Sequence, residues 1–145
     1  MRKTAWILAI LLLSGTAMAA DFTGTWKLNQ EKSPDPRTNV ISLTMTLEQI
    51  GPNAYRTTID SVSKSGKTRH VIDRIYDGKE RHVDDAPPEG TEICEITPDG
   101  VRKITMKNAG KVVEVIEAII SADGKTMTHI ITDAKGKQVA IFDRQ

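Results

Sequence analysis

Three histidines, one cysteine and a short acidic run are the residues here whose types could do chemistry. His70, His82 and His129 form neither an H-x-H nor an H-E-x-x-H pair. A zinc site needs three or four converging N, S or O ligands, and this spacing does not request one. Asp84, Asp85 and Glu89 lie in D-D-A-P-P-E-G, without the D-x-[DN]-x-[DN]-G pattern of an EF-hand. No serine sits in a G-x-S-x-G elbow, and no phosphate loop or dinucleotide fingerprint is present. The expectation is therefore a non-enzyme with no catalytic residue, no metal and no cofactor. An enzyme using His129 or His70 with a carboxylate is the weaker reading. His129 alternates with Met127 and Ile131, which favours an inward-facing core residue. Cys94 has no partner in its own chain and reads as a small buried apolar residue; pairing with another chain is the alternative.

The elements that must position these residues read as strands. Val40 to Ile50 runs V-I-S-L-T-M-T-L-E-Q-I, with Ile41, Leu43, Met45 and Leu47 on one face and Ser42, Thr44, Thr46 and Glu48 on the other. A period of two marks a half-buried strand. Turn signals recur at Gly51-Pro52-Asn53, Ser65-Gly66, Asp77-Gly78, Asp99-Gly100, Asn108-Ala109-Gly110, Asp123-Gly124 and Lys135-Gly136. Between them fall strands near 22–28, 40–50, 54–63, 68–76, 79–83, 91–97, 101–107, 111–121, 125–132 and 138–144. Short strands joined mainly by hairpins argue an all-β fold, an antiparallel up-and-down barrel of about 8–10 strands rather than a sandwich. Closure into a barrel removes exposed edges. Lys111 to Ser121 is apolar on both faces, so it is expected to be buried on both sides or to lie against a partner. Asn29 to Asn39 and Asp84 to Gly90 are proline-containing loops.

The chain of 145 residues has 20 Lys+Arg against 19 Asp+Glu, a net charge of +1. That balance lacks the basic footprint of a nucleic-acid binder. Lys64, Lys67, Arg69, Lys103, Lys107 and Lys111 read as solvated surface. Residues 1–19 have the grammar of a secretory signal peptide: Met1-Arg2-Lys3, an apolar run from Ala5 to Leu13, then Ala17-Met18-Ala19 as an A-x-A cleavage site. The run is too short to span a bilayer, which takes ~20 apolar residues. The expectation is a periplasmic or secreted protein whose mature domain is residues 20–145, with no stable membrane span after cleavage. Loss of Arg2 and Lys3 tips the net charge slightly negative. The remaining aromatics are Phe22, Trp26, Tyr55, Tyr76 and Phe142.

Phe22 to Leu28, F-T-G-T-W-K-L, resembles the opening strand of the calycins, the lipocalin and fatty-acid-binding protein superfamily, with its G-x-W motif. Ser121 to Thr126 through Ile141 to Arg144 resembles the last two strands of the fatty-acid-binding branch. The ordered set Gly24 to Asn29, Lys32-Ser33, Tyr76 to Lys79, Pro87-Pro88, Gly110 to Val113 and Ser121 to Thr126 resembles a group of small secreted bacterial lipocalin-like proteins. The resemblance implies that Gly24, Trp26 and Arg144 close one end of the barrel, with the arginine stacked on the indole. It also implies departures. The R-x-Y carboxylate anchor of the fatty-acid-binding branch falls on Ala140 and Phe142, and neither can pair with a carboxylate. The two-helix lid of that branch has no counterpart between the first two strands.

The expected function is binding of a small hydrophobic molecule in the barrel interior, lined by Leu43, Met45, Tyr55, Ile72, Tyr76, Met106, Met127 and Phe142. Methionines suit an adaptable, aliphatic pocket. The alternative is an envelope protein–protein interaction module with a packed core, no ligand, and an exposed apolar patch or open edge near Val112 to Ile120.

Overall fold

A computed structural model describes residues 20–34, 39–83 and 88–145. The signal-like segment, Pro36, and the Asp84, Asp85 and Pro87 positions of the acidic loop lie outside the described residues. The strands are β1 (Gly24–Leu28), β2 (Val40–Gly51), β3 (Ala54–Ser63), β4 (Gly66–Ile75) and β5 (Glu80–His82), followed by β6 (Gly90–Ile96), β7 (Arg102–Asn108), β8 (Lys111–Ile120), β9 (Thr126–Asp133) and β10 (Gly136–Arg144). No helix occurs among the described residues, so none there is long and apolar enough to cross a membrane.

All ten strands form one antiparallel sheet in the order β4-β3-β2-β1-β10-β9-β8-β7-β6-β5. The chain meanders up and down, and β1 joins β10 to bring the two halves together, with Trp26 opposite Arg144. The fold class is the one the strand pattern predicts. Closure differs from a continuous barrel: among the described residues no ladder joins edge β4 to edge β5. That seam is held by other means. The connection between β4 and β5 is tied to both sides of it: the backbone N–H of Tyr76 donates to the Asn53 carbonyl at 2.7 Å on the β3 side, and that of Gly78 donates to the Cys94 carbonyl at 2.9 Å on the β6 side. The guanidinium of Arg74 on β4 meets the carboxylate of Glu92 on β6 at 3.0 Å, each only 13% exposed.

Of the three register shifts among the described residues, two redirect large apolar side chains. One between Val40 and Ser42 releases Ile41 to solvent at 60% exposure, although alternation assigns it to the core. A bulge adds a residue and breaks the period of two; Val40 packs against the core instead. The other lies at Met106/Lys107, opposite the start of β8. There Val112 and Val113 are exposed, and Ile119 points outward. The expectation that β8 is buried on both sides is therefore corrected: β8 is laddered on both edges, to β7 and β9, but only one of its faces turns inward. A curved sheet in a single layer has an inside and an outside, so its strands cannot be covered twice.

The core has two parts. The larger gathers Phe22, Trp26, Leu43, Met45, Leu47, Ala118, Met127 and Phe142 at the end of the barrel where the chain enters. The smaller holds Tyr76, Cys94 and Ile104 beside the seam.

Candidate functional site

Trp26 is fully buried, and its indole N–H donates to the Phe22 carbonyl at 3.0 Å. The Arg144 guanidinium lies 4.2 Å from the Trp26 ring centre. Its Nε, Nη1 and Nη2 donate to the carbonyls of Gly124, Thr23 and Asp21 at 2.7, 2.6 and 2.8 Å. Gly24 has φ +110, and a Cβ there would sit 2.9 Å from Arg144 Nη1. Only glycine meets both demands, so Gly24, Trp26 and Arg144 pack together at this end.

Above that floor lies a cavity of about 400 Å³. Of the residues expected to line the interior, Leu43, Met45, Ile72, Met106 and Phe142 do so. Met127 does not; it is fully buried beneath the cavity, in the cluster with Trp26. Tyr55 and Tyr76 do not either. Their rings pack edge to face at 5.8 Å beside the seam, with Tyr76 only 4% exposed. Ala140 and Phe142, where the resemblance puts the carboxylate anchor, both face the cavity and are apolar. His129 also lines it, with its ring 5.0 Å from that of Phe142. His70 and His82 are exposed, and among the described residues no His, Cys, Asp and Glu cluster could hold a metal.

Cys94 is buried at 3% exposure, and burial pushes its thiol up to about 12. It is a small apolar core residue, as expected, and remains protonated at neutral pH.

The polar residues of the cavity went unnoticed in the sequence. Arg74 and Arg102 lie toward the floor, and Glu114, Asp133 and Gln138 lie toward the end that carries the β9–β10 turn. Glu114 and Asp133 are register partners across β8 and β9. Arg102 is only 4% exposed, with its guanidinium carbon 5.3 Å from the Phe22 ring centre and 5.4 Å from that of Tyr76. Burial pulls its pKa below the ordinary arginine value, but a guanidinium stays charged in proteins. A signal for it existed: in R-K-I-T-M the period of two puts Arg102 in phase with Ile104 and Met106. Arg74 is likewise in phase with Ile72, and Glu114 with Ile116 and Ala118.

No family model matches the chain, and no curated protein matches it in sequence. Solved structures do match in shape. The fluorescent protein UnaG, wild type, aligns with a TM-score of 0.66 at 14% identity, covering 88% of this chain and 100% of that one. Fatty-acid-binding protein 1 of Echinococcus granulosus gives 0.59 at 17%, covering 85% and 96%. The Schistosoma mansoni fatty acid binding protein in complex with arachidonic acid gives 0.60 at 12%, covering 88% and 99%. The fold is calycin-like. At such identities the likeness establishes that fold and nothing finer.

Proposed function

We propose that this protein is exported and holds a small hydrophobic molecule inside its barrel. The cavity is the observation that carries this reading. Its volume of about 400 Å³ is at the lower end of the ~300–1,000 Å³ typical of small-molecule sites. At ~30 Å³ for a water-sized group, it holds about a dozen non-hydrogen atoms. Most of its wall is aliphatic, from Leu43, Met45, Ile59, Ile72, Ile104 and Ile116. Burial of an apolar ligand there stabilises at roughly 25 cal/mol per Å² removed from water. The neighbours named as fatty-acid-binding proteins bind ligands of this kind.

Export rests on the signal-like residues 1–19. Cleavage after Ala19 leaves Ala20 as the new N-terminus. Ala20 packs against the larger core cluster, so no described core contact is lost. The cellular setting we propose is the periplasm or the extracellular space.

Native mass spectrometry of protein purified from its own host tests both parts. The expected result is a mass lacking residues 1–19, plus a small non-covalent adduct. A bare chain that also takes up no lipophilic dye would overturn the binding reading. A retained N-terminus would overturn export. One observation favours the alternative of a surface interaction module: Val112, Val113 and Ile119 on β8 are exposed. That reading requires a packed core, which the cavity argues against.

A further inference from the structure

β4 is the least covered strand of the sheet. Eight of its ten residues are exposed, and the two that are not, Ile72 and Arg74, both line the cavity. Thr68 and His70, in phase with them on the inner face, are exposed as well. One edge of β4 is laddered to β3 from end to end. Along the other edge no ladder joins it to β5 among the described residues. There the only hydrogen bonds from β4 to β5 or β6 run from Arg74 Nε to Oε2 and Oε1 of Glu92, at 3.0 and 3.2 Å.

That pair stands between two spaces. A cleft of about 280 Å³ enters the seam, with Asp73 and Ile75 of β4 on one side and Arg81 and His82 of β5 on the other. Arg74 lines both this cleft and the cavity, whereas Glu92 lines the cleft alone. The Arg74–Glu92 pair is therefore the partition where the cleft meets the cavity. An ion pair suits a partition that has to part. Apolar side chains separated by an opening lose their burial, but two charges drawn apart there regain water.

Resting on the reading of the cavity as a ligand site, we propose that β4 is a lateral gate to the cavity and that the Arg74–Glu92 pair is its latch. The structure shows the gate closed. On opening, the pair parts, β4 swings away from β5 with its ladder to β3 intact, and an apolar molecule passes through the seam. An open form of this kind is a minor state, ~0.1–10% populated, reached in microseconds to milliseconds. Entry and exit both wait on it. Weakening the latch therefore speeds both steps by the same factor and leaves the affinity unchanged, because the closed form still dominates.

The test is stopped-flow binding of 1-naphthylamine, a small neutral fluorophore, to the parent and two variants. Glu92→Gln removes the latch charge and keeps its shape. It is expected to raise the association and dissociation rate constants together, each about tenfold, with Kd unchanged. Val113→Trp narrows the other opening. Val113 is exposed and borders a groove at the β7–β8 turn that shares Met106, Glu114 and Asp133 with the cavity. This variant is expected to leave both rate constants as in the parent. Rates unmoved by Glu92→Gln would overturn the gate and leave the site standing. So would faster dissociation alone with weaker affinity, which a brace for the bound form gives and a latch does not. Slower exchange in Val113→Trp would make that groove the route and overturn the gate. Absence of binding by the parent would overturn the cavity reading and the gate together. If Glu92→Gln fails to fold, Val113→Trp still decides: slowed exchange contradicts the gate and unchanged exchange supports it.

Discussion

Trp26 and Arg144 stack at the end of the barrel where the chain enters, with the guanidinium carbon 4.2 Å from the ring centre. Trp26→Ala removes a fully buried indole and is expected to cost about 3–5 kcal/mol in urea unfolding. Gly24→Ala forces a residue with a Cβ to φ +110 against Arg144 Nη1. A loss of about 1–3 kcal/mol is expected for that position. The G-x-W pattern, with an arginine on the last strand, made this trio visible in the sequence. Cys94 was equally visible, because its lack of a partner and its place in I-C-E-I match a small core residue. With its thiol pushed up to about 12 by burial, it is expected to resist Ellman's reagent in native buffer and to react fully in denaturant. Rapid reaction of the folded protein would contradict that burial. Arg102 was not visible in this way, because a charged side chain in a strand reads by default as solvent-facing. Its phase with Ile104 and Met106 was the signal that could have found it.

The strands themselves were legible almost to the residue, since each runs between turn signals whose chemistry is specific. The Asp99-Gly100 and Asp123-Gly124 turns do place glycine at positive φ. Ile41 and the start of β8 were misread because a bulge is a backbone event that leaves no mark in the apolar pattern. The seam was also hidden: alternation gives faces, not partners. Arg74 and Glu92 bridge that seam at 13% exposure each. Removing Arg74 leaves a mostly buried carboxylate, so Arg74→Met is expected to cost about 2 kcal/mol. Hydrogen exchange should quicken first in β4, the edge strand that the pair ties down. The β1–β2 connection is held to β10 in a pH-dependent way. Asn29 Nδ2 donates to Asp143 at 2.6 Å and Lys32 Nζ at 3.2 Å, and these bonds hold the Asp143 carboxyl below its ordinary range. A carboxylate with a depressed folded-state pKa adds stability above its unfolded pKa, and loses it as pH falls through the folded value. Asp143→Asn should therefore melt below the parent at pH 7. The gap should close as the pH drops below about 4.

The molecule is a rolled ten-stranded sheet with a closed floor, an unlaced seam and an aliphatic cavity between oppositely charged ends. Composition and alternation reached the rolled sheet but could not decide between a filled interior and a hollow one. The volume left inside depends on which strand positions carry small residues. Ala118 and Ala140 face the interior where larger side chains would fill it. Tyr55 and Tyr76, read as wall residues, pack on each other at the seam and leave the space open. Ala140 is thus the natural place to test whether the cavity binds. Calorimetric titration of 1-decanol, a neutral ligand, into the parent and into Ala140→Phe asks the question directly. One-to-one binding by the parent is expected, weakened at least about tenfold where the phenyl ring occupies the space, a difference of about 1.4 kcal/mol. Absence of binding to the parent, or equal binding by both, would contradict an interior ligand site.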